Sequence, residues 1–157
     1  MKQKVTITVN GEPTEIWAAP HETLLETLRN DMHLVGAKQG CDTGGCGCCT
    51  VLIDGQSRYS CMTYTVTLDG RDVTSVEGLA DNGELDAVQQ AFVDTGAVQC
   101  GYCTCGMIMA AKHLLSVNPK PTDREIRKGL SGNLCRCTGY HKIVEAVRVA
   151  SGQQEAS

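Results

Sequence analysis

Eight of the ten cysteines fall into two quartets with unlike spacing. Cys41, Cys46, Cys49 and Cys61 read Cys-x4-Cys-x2-Cys-x11-Cys. Cys100, Cys103, Cys135 and Cys137 read Cys-x2-Cys-x31-Cys-x-Cys. Thiolates are soft ligands that select zinc, copper(I) and iron–sulfur clusters. The first run has the plant-type spacing of a [2Fe–2S] cluster. The loop GCDTGGCGCC offers three thiolates in one short stretch, and its glycines let the backbone wrap closely. Wrapping turns amide N–H groups toward the cluster sulfurs, which helps set the reduction potential. Two redox centres in series would make an electron wire.

Other readings of the thiols compete with this one. A structural zinc site also takes four cysteines, but zinc ribbons pair two short Cys-x2-Cys knuckles and neither quartet is built that way. An extracellular disulfide framework needs a secretory context. The start, MKQKVTITVNGE, alternates apolar and polar residues and lacks the apolar run of a leader. No stretch is long enough to span a membrane. A cytoplasmic chain is expected, where clustered cysteines bind metal more often than they pair.

The elements that must position these thiols divide the chain in two, at residues 1–77 and 78–157. The first half reads as α+β. Val5, Ile7 and Val9 alternate with Lys4, Thr6 and Thr8, the period-2 pattern of a half-buried strand. Asn10-Gly11 and Asp54-Gly55 are hairpin turns, with Glu15–Ala18 and Arg58–Ser60 as return strands. Val66–Leu68 and Val73–Val76 read as further strands around Asp69-Gly70. Leu24, Leu25, Leu28 and Met32 recur at helical spacing after Pro20-His21-Glu22-Thr23.

The second half reads as helical. Leu85, Val88, Phe92 and Val93 suit one helix, and Met107 to Val117 a second, stopped by Asn118-Pro119. Thr122-Asp123-Arg124-Glu125 has the capping-box form, and Ile143, Val144, Val147 and Ala150 suit a fourth helix. Cys100 and Cys103 precede the second helix, and Cys135 and Cys137 the fourth. Both pairs then lie at helix N-termini, whose partial positive charge favours an anionic cluster. The chain has 157 residues with one Trp, one Phe and four Tyr. Each half thus has a thin core of the kind that a metal staple supports. A net charge of −4 without strong clustering gives no nucleic-acid footprint and no polybasic membrane patch.

QGCDTGGCGCCTVLIDG, VQCGYCTCGMIMA and SGNLCRCTGY closely resemble the iron–sulfur subunit of the xanthine oxidase, or molybdenum hydroxylase, family. The resemblance runs over about residues 3–150. It implies a β-grasp ferredoxin-like domain followed by a four-helix bundle, each with a [2Fe–2S] cluster held by one quartet. It implies partners: a large molybdenum-binding subunit, an FAD-binding medium subunit, and a hetero-oligomer for which a dimer of heterotrimers is one arrangement. Electrons would run from the molybdenum–pterin cofactor to the helical-domain cluster, then to the ferredoxin-domain cluster and FAD. Gln99 matches a glutamine that contacts the pterin, and Cys137 matches the ligand nearest to it. Cys48 and Cys105 depart from the family pattern, which has a small residue and a proline there; both read as small buried thiols. The expected function is an electron-transfer subunit, with no bond-making catalysis of its own, during hydroxylation of an N-heteroaromatic or purine, with carbon monoxide next. A free-standing two-cluster ferredoxin and a zinc-stapled interaction module are the alternatives.

Overall fold

The structure, a computed structural model, describes residues 1–153. Strand β1 (Gln3–Val9) turns back into β2 (Glu12–Ala18) through Asn10 and Gly11, both at positive φ. The pair is antiparallel, with Val5 opposite Ile16. Val5, Ile7, Val9, Ile16 and Ala18 are buried while the residues between them face outward. Strand β3 (Thr50–Ile53) turns into β4 (Gln56–Tyr59) through Asp54 and Gly55, again both at positive φ. Strand β5 (Asp72–Thr74) sits between the hairpins, parallel to β1 and antiparallel to β3. The mixed sheet has the order β2-β1-β5-β3-β4.

Helix α1 (Leu24–Glu26) opens with Thr23 and Glu26 exchanging side chain–backbone hydrogen bonds. It runs at once into a π-helical stretch, Thr27–Asp31. Leu24, Leu25 and Leu28 from this segment join the strand residues in the first core.

Helices α2 (Ala87–Asp94), α3 (Thr104–Val117), α4 (Asp123–Gly129) and α5 (His141–Ala150) build the second half. Asp86 with Gln89 caps α2, and Thr122 with Glu125 caps α4. Phe92, Met107, Ile126, Ile143 and Val147 meet in the second core. Burying such a side chain is worth about 1.5–3 kcal/mol.

Three expectations need correction. Val66–Leu68 is not a strand, because Thr65–Thr67 closes a 3-10 turn with Leu68 folded inward. Leu85 lies outside α2 and is exposed, since Asp86 takes the cap position; Val93, although in α2, also faces outward. The Leu24–Met32 segment is regular α-helix for only three residues before the π-helical turns.

The halves are not separate bodies. Helix α3 packs across β3 and β4. Cys48, from the loop before β3, is buried within the core of the helical half. Tyr59 donates its hydroxyl hydrogen to Gly132 O at 2.8 Å. Buried Asn133 donates through Nδ2 to Gly47 O at 2.8 Å and lies 3.1 Å from Thr50 Oγ1. Among the described residues, no helix is long and apolar enough to cross a membrane.

Candidate iron–sulfur centres

The loop between the π-helical turn and β3 carries Cys41, Cys46 and Cys49. Gly44 and Gly47, both at φ +73°, bend it. A Cβ on Gly47 would come within 2.7 Å of Asn133 Nδ2, so the loop lies directly on the second half there. Cys61 arrives from the 3-10 turn Ser60–Met62, just beyond β4. The four thiols gather in pairs. Cys49 Sγ and Cys61 Sγ are 3.3 Å apart, and Cys41 and Cys46 hydrogen-bond through their side chains.

Backbone N–H groups of Thr43 and Cys46, then the Cys46 side chain, with a smaller contribution from the Gly45 amide, draw the Cys41 thiol down to about 6. An anionic sulfur is therefore favoured at this position before any metal charge acts. Burial, then the hydrogen bond with Cys49, pushes Cys61 up to about 12.

The second quartet is built from the segments that lead into α3 and α5. Cys103 is the residue immediately before α3, and Tyr140 the residue immediately before α5. Again the thiols pair: Cys100 with Cys137 at 3.6 Å, and Cys103 with Cys135 through a side-chain hydrogen bond. Cys103 is buried, and burial followed by the Cys135 contact pushes its thiol up to about 12. Cys100 and Cys137 are exposed. The quartet thus has an inner edge against the protein and an outer edge against solvent.

A closed ring of contacts fixes Cys135. Thr138 donates to Cys135 Sγ from its hydroxyl at 3.1 Å and from its amide at 3.4 Å. The Thr138 hydroxyl oxygen accepts from Tyr140 N at 3.2 Å. The Tyr140 hydroxyl oxygen in turn accepts from Cys135 N at 2.8 Å. Burial raises the Cys135 thiol, but the Thr138 hydrogen bonds and the Cys137 amide outweigh it, and the net shift is downward. Tyr140 takes part at φ +67°, a conformation that costs an L-residue about 1–2 kcal/mol.

A cleft of about 450 Å³ is lined by Cys100, Cys103, Cys135 and Cys137 of the second quartet and by Cys46 of the first. The main chains of the two ligand loops touch here, with Leu134 N donating to Cys46 O at 2.8 Å. Cys48 sits at the same junction. Burial, then its contact with Cys46, pushes its thiol up to about 12. Cys105 is half-buried in the first turn of α3, and burial raises its thiol too.

Four thiols arranged two by two fit a core of two irons, in which each iron takes two protein ligands. The structure brings each predicted quartet together in pairs, sets Cys48 against Cys46 at the junction of the two, and places Gln99 on the exposed stretch beside Cys100. Sequence reasoning missed Thr138, Tyr140 and Asn133 as supports of these loops. Thr138 had a signal in its place one residue beyond Cys137, whereas the partners of Asn133 lie more than 80 residues away and left none.

Comparison with known proteins places these centres among relatives. A family model described as a 2Fe-2S iron-sulfur cluster binding domain matches residues 7–80. A second, described as a [2Fe-2S] binding domain, matches residues 75–148. The nicotine 6-hydroxylase small subunit of Paenarthrobacter nicotinovorans is 49% identical, over 96% of this chain and 90% of that protein. The nicotinate dehydrogenase small FeS subunit of Eubacterium barkeri is 47% identical, over 95% of each chain. A chain in the crystal structure of quinoline 2-oxidoreductase from Pseudomonas putida 86 superposes with a TM-score of 0.93 at 40% identity, covering 96% of this chain and 94% of its own length.

Proposed function

This chain belongs to the iron–sulfur small subunits of the molybdenum hydroxylases, and from that premise we propose how its residues divide the work of an electron-transfer subunit. Cys41, Cys46, Cys49 and Cys61 hold one [2Fe–2S] cluster, and Cys100, Cys103, Cys135 and Cys137 hold the other. Residues 1–77 form a β-grasp ferredoxin-like domain and residues 78–157 a four-helix bundle, of which residues 154–157 lie outside the described part. When bound, the clusters relay electrons one at a time, entering at the second quartet from a molybdenum–pterin centre and leaving at the first toward FAD, both on partner subunits.

The observation that carries this reading is the pair of unlike four-thiol quartets meeting where Leu134 N–H joins Cys46 C=O. The order of the two quartets rests on exposure. Cys100 and Cys137 face outward beside Gln99, where a pterin ring could reach them. Val98, Tyr102 and Leu134 surround that edge at 41%, 46% and 54% exposure, an apolar rim suited to a partner subunit. Gln99 would be the residue to contact the pterin, as the family resemblance implies, and the Thr138–Tyr140 ring holds Cys135 in place.

The named relatives act on nicotine, nicotinate and quinoline, so a small N-heteroaromatic, with purines next, is the substrate class proposed for the complex. The chain itself contacts no substrate. The partners are a large molybdenum-binding subunit and a medium FAD-binding subunit. Iron and acid-labile sulfide analysis tests the assignment. About four of each per chain, two for each [2Fe–2S] core, and two distinct EPR signals on reduction are expected. Stoichiometric zinc without labile sulfide would overturn it.

A further inference from the structure

We propose that Thr138 tunes the reduction potential of the second centre, through the hydroxyl hydrogen it donates to Cys135 Sγ. The inference rests on the assignment of Cys135 as a cluster ligand. Among the described residues, every other side chain seen donating to a quartet sulfur is a cysteine, either of the same quartet or Cys48 against Cys46. Cys41, the best-solvated sulfur of the first quartet in hydrogen-bond terms, takes its non-cysteine donors from the backbone, which substitution cannot remove. At the second quartet, Thr138 is thus the one non-cysteine side-chain donor seen among the described residues.

Its geometry leaves the hydroxyl a single use. The oxygen accepts from Tyr140 N at 3.2 Å, and the hydrogen then points at Cys135 Sγ, 3.1 Å away. Tyr140 closes the ring onto Cys135 N, so threonine and sulfur cannot drift apart independently. One-electron reduction adds negative charge to the iron–sulfur core and its ligand sulfurs. A donor aimed at one of those sulfurs stabilises the reduced form more than the oxidised one and raises the potential. Raising it at the centre that receives electrons first favours their departure from the molybdenum subunit.

The ring also limits the effect to one centre. Thr138 contacts Cys135 and Tyr140, both in the helical half, while the first quartet stands across the Cys46–Leu134 junction. The amide of Thr138 still faces the sulfur at 3.4 Å in any variant, so substitution removes one donor and keeps the other.

The test is an EPR-monitored redox titration of the complex purified with its partner subunits. In Thr138→Val, the midpoint of one [2Fe–2S] signal should move to more negative potential while the other stays in place. Thr138→Ser keeps the donor and should hold both midpoints at their wild-type values. If Thr138→Val loses iron from the second centre, Thr138→Ala, which leaves space instead of a methyl group, is titrated under the same criterion. Unmoved midpoints in an iron-loaded Val or Ala variant would overturn the proposal. So would movement of the other centre, or a Ser variant displaced as far as Val. Absence of two [2Fe–2S] signals from the wild-type complex would instead overturn the ligand assignment on which it stands.

Discussion

Gly106→Ala puts two known effects in opposition, and the structure decides between them. Gly106 lies in the first half of α3, where alanine is favoured over glycine by about 0.8–1.0 kcal/mol. Propensity alone thus forecasts a more stable protein. Yet Gly106 faces the first ligand loop. A Cβ there would overlap Gly47 O and stand 3.1 Å from Cys48 Cα and 3.2 Å from Asn133 Nδ2. Two of these three are backbone atoms that cannot swing aside. Loop and helix must separate by roughly 1 Å to restore an ordinary contact. Such overpacking costs about 1–3 kcal/mol. The buried hydrogen bond from Asn133 Nδ2 to Gly47 O is stretched with it, and a buried group left unpaired costs about 1–3 kcal/mol. Taking about 2 for the first and about 1 for the second, against a gain of about 1, the net loss is about 2 kcal/mol. If all of it accelerates unfolding, the rate rises about thirtyfold. The assay is bleaching of the visible iron–sulfur absorption at a fixed elevated temperature. The variant should bleach several-fold to about thirtyfold faster, with both EPR signals broadened or shifted, since the strained contact lies between the centres. A variant that bleaches as slowly as wild type, with unchanged EPR, would show that the helix–loop contact is looser than described and that propensity wins.

Further outcomes follow from residues around the quartets and caps. Cys48→Ala and Cys105→Pro should each keep two EPR signals, because neither residue belongs to a proposed ligand quartet, although Cys48 touches Cys46; Cys105 also sits in the first helical turn, where proline is tolerated. Loss of one signal in either variant would show a misassigned ligand. Glu125 accepts from Thr122 N and Thr122 Oγ1, and these bonds hold its carboxyl below the ordinary value of 4.5. A depressed carboxyl adds stability that is present above that value and lost as pH falls through its folded pKa. An NMR titration should find the Glu125 carboxyl below 4.5 in the wild type and less depressed in Thr122→Ala, where the hydroxyl is gone and the backbone N–H remains. An unchanged titration in the variant would leave the backbone bond alone as the cause.

The sequence made legible whatever depends on neighbours along the chain. Asn10-Gly11 and Asp54-Gly55 announced their turns because both residues of each pair adopt positive φ. Thr122 and Glu125 announced a helix start because the cap spans only three residues. The alternation of Val5, Ile7 and Val9 gave the buried face of β1. Ligand spacing together with family resemblance separated the quartets from Cys48 and Cys105. What stayed hidden depends on contacts across the fold. The π-helical turn at Thr27–Asp31 buries the Thr27 hydroxyl against that of Thr65, 2.7 Å away but 38 residues along the chain. Val66–Leu68 had the composition of a strand, but β5 at Asp72–Thr74 occupies the place beside β1. The supports at Asn133 and Tyr59 exist only because the two halves meet.

The tie from Leu134 N–H to Cys46 C=O is made by main chain at both ends. Over evolutionary time, a bond of that kind cannot be lost to a change of residue type; only proline at 134, or a shift of register, can remove it. Exchange of side chains around the junction leaves the spacing between the quartets intact, whereas one residue inserted between Asn133 and Cys135 would unseat it. Lineages can therefore diversify the surfaces of this subunit, and the large subunits it serves, without resetting the separation of its two centres.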